Sequence, residues 1–208
     1  VYTYNLSSGE AEPLFTRTNR MLTAMGVYSL CRDCEDNIWI GTYTGGAFLM
    51  MPEENRTTLL RHRKGEEPSL ADDNVNAFCE QSNGELWIAT DNGISIYNPP
   101  NNRCRQILPG NVVLSISIDS QDIIAAGTYG NGVFLLNSQG EILHHYLSTN
   151  SSLPSDYLST VQFDTDRDLW IGTMDNQLLQ LEHPTRQWKS YNVIKARCIA
   201  QKDAHTIA

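Results

Sequence analysis

Tyrosine, aspartate and asparagine residues recur in short turns that follow a Gly-Thr or Ala-Thr pair. An exposed tyrosine ring can stack on the C–H face of a sugar, while Asp and Asn side chains hydrogen-bond the sugar hydroxyls. The pattern therefore predicts an oligosaccharide site formed by turns at one rim of the fold. The candidate binding residues are Tyr43, Thr44, Asp91, Asn92, Tyr129, Asn131, Asp175 and Asn176.

The same residue types also form turns without binding a ligand. Asp and Asn side chains bond to their own backbone, and Gly adopts the positive φ that many turns require. A purely structural role for these turns therefore stays open beside the binding hypothesis.

A short acidic run, Asp164-Thr165-Asp166-Arg167-Asp168, places carboxylates at alternate positions, as at the start of a calcium loop. Such a loop needs Gly at its sixth position and Glu at its twelfth, where this chain has Leu169 and Asp175. We therefore expect a polar turn between two strands and predict no metal site and no cofactor.

The five cysteines do not form a convincing metal site or disulfide framework. Cys31 and Cys34 make a single CxxC, and the other three cysteines supply no second pair. Free thiols are therefore expected at Cys31, Cys34, Cys79, Cys104 and Cys198.

No acid–base pair converges by position along the chain. The histidines fall mainly in predicted outer strands or connections, away from the turns that carry the tyrosines. They are His62, His144, His145, His183 and His205. We predict no catalytic residue in this segment.

The composition is that of a folded, acidic chain. Fifteen Lys and Arg residues stand against 24 Asp and Glu residues, which gives a formal charge of −9 over 208 residues. That balance argues against a nucleic-acid surface, which needs clustered positive charge. No apolar run approaches the roughly 18 residues of a membrane helix, so this segment is not expected to span a bilayer.

A repeat with a period of about 40 residues organises the chain. Three copies align without gaps around a tryptophan: Asn37-Ile38-Trp39-Ile40-Gly41-Thr42, Glu85-Leu86-Trp87-Ile88-Ala89-Thr90 and Asp168-Leu169-Trp170-Ile171-Gly172-Thr173. A fourth copy keeps the register but has Ala125 in place of the tryptophan. Apolar residues also recur at fixed distances before this anchor position, and β-branched runs alternate with Gly, Asn and Asp turns, which indicates strands.

Four short strands per repeat predict an all-β fold, the β-propeller, in which each repeat is one blade. Trp39, Trp87 and Trp170 are then structural anchors that pack between neighbouring sheets. The predicted segments are a partial blade at 1–25, four complete blades at about 26–63, 74–108, 111–147 and 157–191, and a partial blade at 196–208.

Two ways of completing the propeller are compatible with this count. The partial blades could complete each other in a five-bladed ring, or the chain could be a fragment of a larger propeller. The second is favoured, because a chain cut within a blade leaves an open strand edge that proteins normally avoid.

The motifs resemble the two-component regulator propeller repeat. The resemblance rests on the three tryptophan motifs above, on the turn Asp91-Asn92-Gly93-Ile94 and on the Ser-Leu linkers at Ser69-Leu70 and Ser152-Leu153. Ala125 and the Asp175-Asn176-Gln177 turn, where a Gly is expected, depart from the pattern. The resemblance covers essentially the whole chain.

The resemblance implies a periplasmic sensor region of a hybrid two-component system of the Bacteroides type. In that family the propeller is usually seven-bladed and senses glycan fragments, the protein dimerises and spans the membrane, and its histidine kinase and DNA-binding parts lie outside the propeller. The resemblance thus implies a glycan-derived ligand, a homodimer formed through the whole protein, and regulation of polysaccharide-utilisation genes. A propeller that binds other proteins and a lyase-like propeller enzyme similar to streptogramin lyase are the alternatives.

Overall fold

The computed structural model describes residues 2–13, 26–51, 56–192, 199, 201–203 and 206–207. This part of the chain is built from β-strands, with one short 3-10 turn at Pro99–Asn101. Within it, no helix is long and apolar enough to cross a membrane. Cys198 and His205 lie outside the described residues.

Four antiparallel sheets follow one another along the chain, and each pairs its four strands in sequence order. Blade 1 contains β3 (Val27–Arg32), β4 (Ile38–Thr42), β5 (Gly46–Met51) and β6 (Arg56–Leu60), and blade 2 contains β7 (Val75–Glu80), β8 (Leu86–Thr90), β9 (Gly93–Asn98) and β10 (Arg103–Ile107). Blade 3 contains β11 (Val113–Ile118), β12 (Ile124–Thr128), β13 (Val133–Leu136) and β14 (Ile142–Tyr146), and blade 4 contains β15 (Leu158–Phe163), β16 (Leu169–Thr173), β17 (Gln177–Leu181) and β18 (Trp188–Asn192).

Two short hairpins flank these blades. The first pairs β1 (Tyr2–Tyr4) with β2 (Ala11–Pro13), and the second pairs β19 (Gln201–Asp203) with β20 (Thr206–Ile207). The predicted fold class is confirmed: the described part of the chain is all-β, with four complete four-stranded blades and additional strands on either side of them.

The first strands of successive blades contact one another, which places β3, β7, β11 and β15 on the inside of the arc. Each of these strands has a register shift near its start, where it pairs with the second strand of its blade. The shifts lie at Val27/Ser29, Val75/Ala77, Val113/Ser115 and Leu158/Thr160. Such a bulge turns the extra side chain away from the regular alternation.

The hydrophobic core lies between the blades. Trp39 is 1% exposed and packs on blade 2, where its ring centroid is 5.6 Å from that of Tyr97. Trp87 is fully buried and packs on blade 3. A glycine two residues after Trp39 allows this approach, since a Cβ on Gly41 would lie 2.7 Å from Val75 Cγ1. Burying these large rings on the next sheet holds consecutive blades together.

The fourth anchor position is packed differently. Trp170 is only partly buried, and its ring centroid is 5.3 Å from that of Tyr191, which belongs to the same blade. No complete four-stranded sheet follows blade 4 in the described residues. The Trp170 ring therefore packs on the outer strand of its own blade and not on a following blade.

Each indole N–H donates to the residue six positions earlier, at the turn between the first two strands. Trp39 donates to Asp33 at 2.9 Å, Trp87 to Gln81 at 2.9 Å and Trp170 to Asp164 at 2.8 Å. The other carboxylate oxygen of Asp164 accepts two backbone N–H groups of its own turn. Asp164 therefore serves a polar turn, as expected for the acidic run, and the described residues contain no group of side chains able to hold a metal ion.

The turn between the second and third strands is fixed by a buried threonine. Thr42, Thr90 and Thr128 each donate a side-chain hydrogen bond of 2.7–2.8 Å to the carbonyl of a glycine with positive φ. Blade 4 has Gln177 at that position. In blade 4 the residue with positive φ is Asn176 (φ 68°). The hydrogen bond from the Thr173 hydroxyl to the Gln177 carbonyl is longer, at 3.4 Å.

Candidate functional site

The topology gathers all predicted binding residues at one end of the blades. In an antiparallel blade, the turn between strands two and three lies at the same end as the connection to the next blade. We call this end the upper rim; it comprises residues 26–28, 43–45, 61–74, 91–92, 108–112, 129–131, 147–157 and 174–176. The opposite end, the lower rim, contains residues 33–37, 81–85, 119–123 and 164–168.

Two pairs of exposed tyrosines stand on the upper rim. The ring centroids of Tyr28 and Tyr43 are 5.5 Å apart in a tilted arrangement, and those of Tyr129 and Tyr157 are 5.0 Å apart, edge to face. All four side chains remain between 49% and 58% exposed. Paired aromatic rings that leave half of their surface in water are suited to stacking on a planar or C–H-rich ligand face.

Backbone hydrogen bonds set the positions of these rings. The amides of Tyr43 and Tyr129 each donate, at 2.9 Å, to a carbonyl that precedes the first strand of the same blade. Tyr28 occupies the bulge of β3, which directs its side chain toward Tyr43. Tyr157 belongs to the next blade and forms an isolated β-bridge with Tyr129, so the second pair lies across the seam between blades 3 and 4.

The predicted residue Asp91 is held by two asparagines. Its carboxylate oxygens accept hydrogen bonds from Asn74 at 2.7 Å and from Asn76 at 2.9 Å. Asn74 in turn accepts the backbone N–H of Thr44 at 2.7 Å. Asn74 thus bridges Thr44 of blade 1 and Asp91 of blade 2. These hydrogen bonds stabilise the seam between the two blades.

Asn92 and Asn131 are also engaged in contacts within the rim. The side-chain oxygen of Asn92 accepts the Gly110 N–H at 2.9 Å, and the side-chain amide of Asn131 donates to Asn111 at 2.7 Å. These carboxamides therefore have structural partners, which agrees with the alternative that Asn residues serve the turns.

The fourth turn is the most open. Met174, Asp175 and Asn176 are all exposed, and Met174 is 46% exposed. The backbone of Asn176 donates to Thr173 at 3.2 Å. This turn can offer a carboxylate, a carboxamide and an apolar surface to a ligand.

Sequence reasoning missed Tyr28, Tyr157, Asn74 and Asn76. None of them belongs to the turn after the Gly-Thr pair, because all four lie at the start of a first strand or just before it. The sequence signal that could have identified them is their recurring position, eleven to thirteen residues before the tryptophan anchor of each blade. The fixed backbone bond from that region to the turn brings both segments to one surface.

Three histidines of the described chain, His62, His144 and His145, have side-chain contacts within the fold. His62 Nδ1 lies 2.7 Å from the Leu70 carbonyl, and His145 Nε2 lies 2.9 Å from the Asn131 carbonyl. His145 also stacks on Phe134 and His144 on Tyr146, with ring centroids 3.9 Å and 5.7 Å apart. His144 and His145 lie on the outer strand β14, and His62 lies in the connection after β6, as the sequence predicted.

The lower rim carries a groove of about 280 Å³ between blades 1 and 2, with Asp33, Cys34, Trp39, Glu80 and Leu86 among its walls. Cys34 is an exposed free thiol, and its backbone N–H donates to Glu80 Oε2 at 2.9 Å. A hydrogen bond to Glu80 and the charge of that carboxylate raise the pKa of the Cys34 thiol.

The pKa values of the other three described cysteines are also raised. Burial is the main cause that raises the pKa of Cys31 to about 11 and that of Cys104 to about 12. Burial also raises the pKa of Cys79. Cys31, Cys34, Cys79 and Cys104 are all free thiols, and only the thiolate form of a cysteine reacts as a nucleophile.

We predict that Glu80→Gln speeds alkylation of Cys34 several-fold at pH 8. The substitution removes the negative charge that raises the thiol pKa, so a larger fraction of Cys34 is thiolate at a given pH. The measurement is the rate of iodoacetamide labelling at Cys34, followed by peptide mass spectrometry. Glu66→Gln, an exposed carboxylate on the upper rim, is the control; equal rates in both variants would contradict the assignment.

Comparison with known proteins finds a family match for one repeat and solved structures with a similar fold. The sequence model of the family "Two component regulator propeller" matches residues 69–92. This segment contains the Ser69-Leu70 linker, β7, Trp87 and the turn at Asp91 and Asn92. No curated protein matched the chain.

Solved structures with the same fold come from several kinds of protein. The extracellular domain of the putative hybrid two component system BT3049 from B. thetaiotaomicron is 26% identical, with a TM-score of 0.68 over 81% of this chain and 22% of that one. PorZ, an essential surface component of the type-IX secretion system of Porphyromonas gingivalis, is 18% identical, with a TM-score of 0.69 over 86% and 28%. Virginiamycin B lyase from Staphylococcus aureus is 14% identical, with a TM-score of 0.68 over 94% and 64%.

The chain thus spans about a fifth of the length of the two-component extracellular domain that it matches. The other two likenesses concern the fold alone. The family model and the extracellular domain support the resemblance that the motifs indicated. Residues 69–92 thus match a two component regulator propeller repeat, and the fold of the chain is similar to that of the extracellular domain of a two-component system.

Proposed function

We propose that this chain is part of the periplasmic ligand-sensing propeller of a hybrid two-component histidine kinase, and that its upper rim binds a glycan-derived oligosaccharide. The observation that carries the proposal is the presence of two half-exposed tyrosine pairs on the upper rim. The family match and the extracellular location of the 26% identical domain support the compartment and the sensing role.

The proposed recognition combines stacking with hydrogen bonding. The rings of Tyr129 and Tyr157 take the C–H face of a sugar, and Asp175 and Asn176 on the following turn offer acceptors and donors for its hydroxyls. Tyr28 and Tyr43 provide a second stacking surface two blades away. An oligosaccharide is long enough to contact more than one such point, which raises its affinity over that of a monosaccharide.

Signalling requires more than binding. A ligand shifts an arrangement of paired sensors only by as much as its affinity differs between the two arrangements. We propose that the oligosaccharide favours one arrangement of a homodimer formed through the whole protein, and that the change crosses the membrane to kinase parts outside this chain. In this account the segment itself has no catalytic role, and the output is expression of polysaccharide-utilisation genes.

Exposure of the first blade supports a larger propeller. Val27 and Leu30 on β3 are 36% and 57% exposed. Their repeat equivalents in blades 2 to 4 pack on the preceding blade, and Val75, Val113 and Leu158 are fully buried. We propose that a further blade covers this face of blade 1 in the whole protein, whose propeller is then larger than the four blades described.

We predict that Tyr129→Ala weakens oligosaccharide binding to the chain about tenfold or more, because one ring of the stacking pair is lost. The loss of folding stability should stay within about 1 kcal/mol, since the side chain is half exposed. Isothermal titration with oligosaccharides from digested plant and host polysaccharides measures the first effect, and thermal unfolding measures the second. Tyr2→Ala removes an exposed tyrosine of the β1–β2 hairpin that belongs to neither tyrosine pair and should leave affinity unchanged; unchanged affinity in Tyr129→Ala would contradict the proposal.

A protein-interaction propeller is the second candidate function. PorZ, which shares the fold, is a component of a secretion system, and the exposed face with Val27 and Leu30 could serve as a contact surface. Failure of every oligosaccharide to bind, together with a stable complex formed through that face, would favour this candidate.

A further inference from the structure

The seam between blades 3 and 4 lacks the indole that fills the other complete seams. Trp39 and Trp87 are buried against the following blade, but the same position in blade 3 is Ala125. A cavity of about 170 Å³ lies at this seam on the lower rim. Its apolar walls include Leu135, Phe163, Leu169 and Leu181.

The cavity corresponds to the place of a tryptophan ring. Leu169 is the repeat equivalent of Leu86, which packs in the same cluster as Trp39. Asp119 is the equivalent of Asp33, the acceptor of the Trp39 indole N–H. In blade 3 the Asp119 carboxylate is 2% exposed and accepts a hydrogen bond from Arg167 Nε at 2.7 Å instead. Arg167 thus satisfies the acceptor, while the space of the aromatic ring stays open.

The size and lining of this space suit one aromatic ring. An apolar cavity of about 150 Å³ is sufficient for benzene. Leu169 stands where the seam between blades 1 and 2 has Leu86 in the cluster of Trp39, so this wall corresponds to a surface that packs near such a ring.

The charges at the mouth favour an anionic substituent. Both carboxylates of the lining are paired, Asp119 with Arg167 and Glu182 with Lys189. Arg186 also lines the cavity, and its recorded side-chain hydrogen bond goes to the neutral Tyr146 hydroxyl at 2.6 Å. Among the described residues it has no carboxylate within salt-bridge distance. The lining thus carries no net charge, with two carboxylates and two guanidinium groups, but the Arg186 guanidinium is left without the carboxylate that it prefers as a partner.

We propose that the blade 3–4 seam is a binding site for a small aryl carboxylate. The ring occupies the space vacated at Ala125, and the carboxylate contacts Arg186 at the mouth. This site is on the lower rim, at the opposite end of the blades from the tyrosine pairs, and does not depend on the proposed oligosaccharide function.

The test uses phenylacetate as the probe and ¹⁵N-labelled full chain observed by two-dimensional NMR. We expect saturable shifts of the amides near Ala125, Leu169 and Arg186. Cyclohexylacetate, which has the same charge without an aromatic ring, should bind several-fold more weakly. Arg186→Gln should weaken phenylacetate at least tenfold but leave the binding of neutral indole unchanged, and Arg63→Gln on the upper rim is the charge-matched control.

Ala125→Trp supplies the missing ring from the chain itself and should abolish phenylacetate binding in a folded protein. If that variant does not fold, Arg186→Gln decides the question, because Arg186 is exposed at the mouth and outside the core. Absence of saturation, shifts elsewhere on the protein, or equal affinity in wild type and Arg186→Gln would overturn the proposal. Shifts caused by a tryptophan-containing peptide but not by phenylacetate would also overturn it, in favour of a protein partner.

Discussion

Trp87→Ala should lower the free energy of unfolding by about 3–5 kcal/mol, the range found when a buried aromatic side chain is truncated. Trp87 is fully buried between blades 2 and 3, and its removal leaves a cavity against the core of blade 3. The substitution also leaves Gln81, which accepts the indole N–H at 2.9 Å, without its partner. Denaturant unfolding of wild type and variant measures the difference.

Trp170→Ala is the matched comparison. The same residue type at the same repeat position is only partly buried, and its ring packs on Tyr191 of its own blade. We expect a loss of about 2 kcal/mol there, since less apolar surface is removed from water. Equal losses at both positions would contradict the view that interblade packing holds this fold together.

Gly132→Ala should cost about 3 kcal/mol or more. Gly132 has φ of 62°, and a Cβ at this position would overlap the carbonyl oxygen of Tyr146 on the neighbouring strand. Both backbone strain and overlap with backbone atoms must then be relieved. The Gly132 carbonyl also accepts the side-chain hydrogen bond of Thr128 at 2.7 Å, so any shift disturbs the turn that carries Tyr129.

Gly110→Ala separates strain from overlap. Gly110 has φ of 80°, but a Cβ there meets nothing within 4 Å. The expected cost is about 1 kcal/mol, the penalty of a left-handed conformation alone. Thermal or denaturant unfolding compares the two variants, and a Gly110→Ala loss as large as that of Gly132→Ala would contradict the role of close approach.

The repeat carries most of the information about the fold. A tryptophan motif with a period of about 40 residues, flanked by β-branched runs and Gly-containing turns, was sufficient to predict four-stranded blades. The period succeeds because each blade buries its anchor on the next one, so the same residue types are needed at the same place in every copy. Asp33 and Asp164, which accept the indole N–H, follow the same logic.

The candidate site was predicted less completely. The turns after the Gly-Thr pair were located correctly on one rim, but their partners Tyr28 and Tyr157 were missed. Tyr28 lies at a β-bulge, where strict alternation of side chains fails. Tyr157 reaches Tyr129 from the next blade, and such a contact depends on how two sheets pack.

Polar turn residues illustrate the same limit. The Asp91 carboxylate is suited to accept hydrogen bonds from sugar hydroxyls, yet its two oxygens accept hydrogen bonds from Asn74 and Asn76. The exchange of Trp for Ala125 is also compensated at a distance, by Arg167 from the next blade. The sequence of one blade does not show that a residue of the next blade donates the hydrogen bond in place of the missing indole.

The central claim is that the upper rim binds a glycan-derived oligosaccharide, and mapping of the binding surface tests it most directly. Two-dimensional NMR of the ¹⁵N-labelled chain, titrated with oligosaccharides from digested polysaccharides, reports every perturbed amide. We expect saturable shifts clustered at Tyr43, Tyr129, Tyr157 and the turn containing Asp175. Saturable shifts confined to the lower rim, or no shifts with any oligosaccharide, would contradict it.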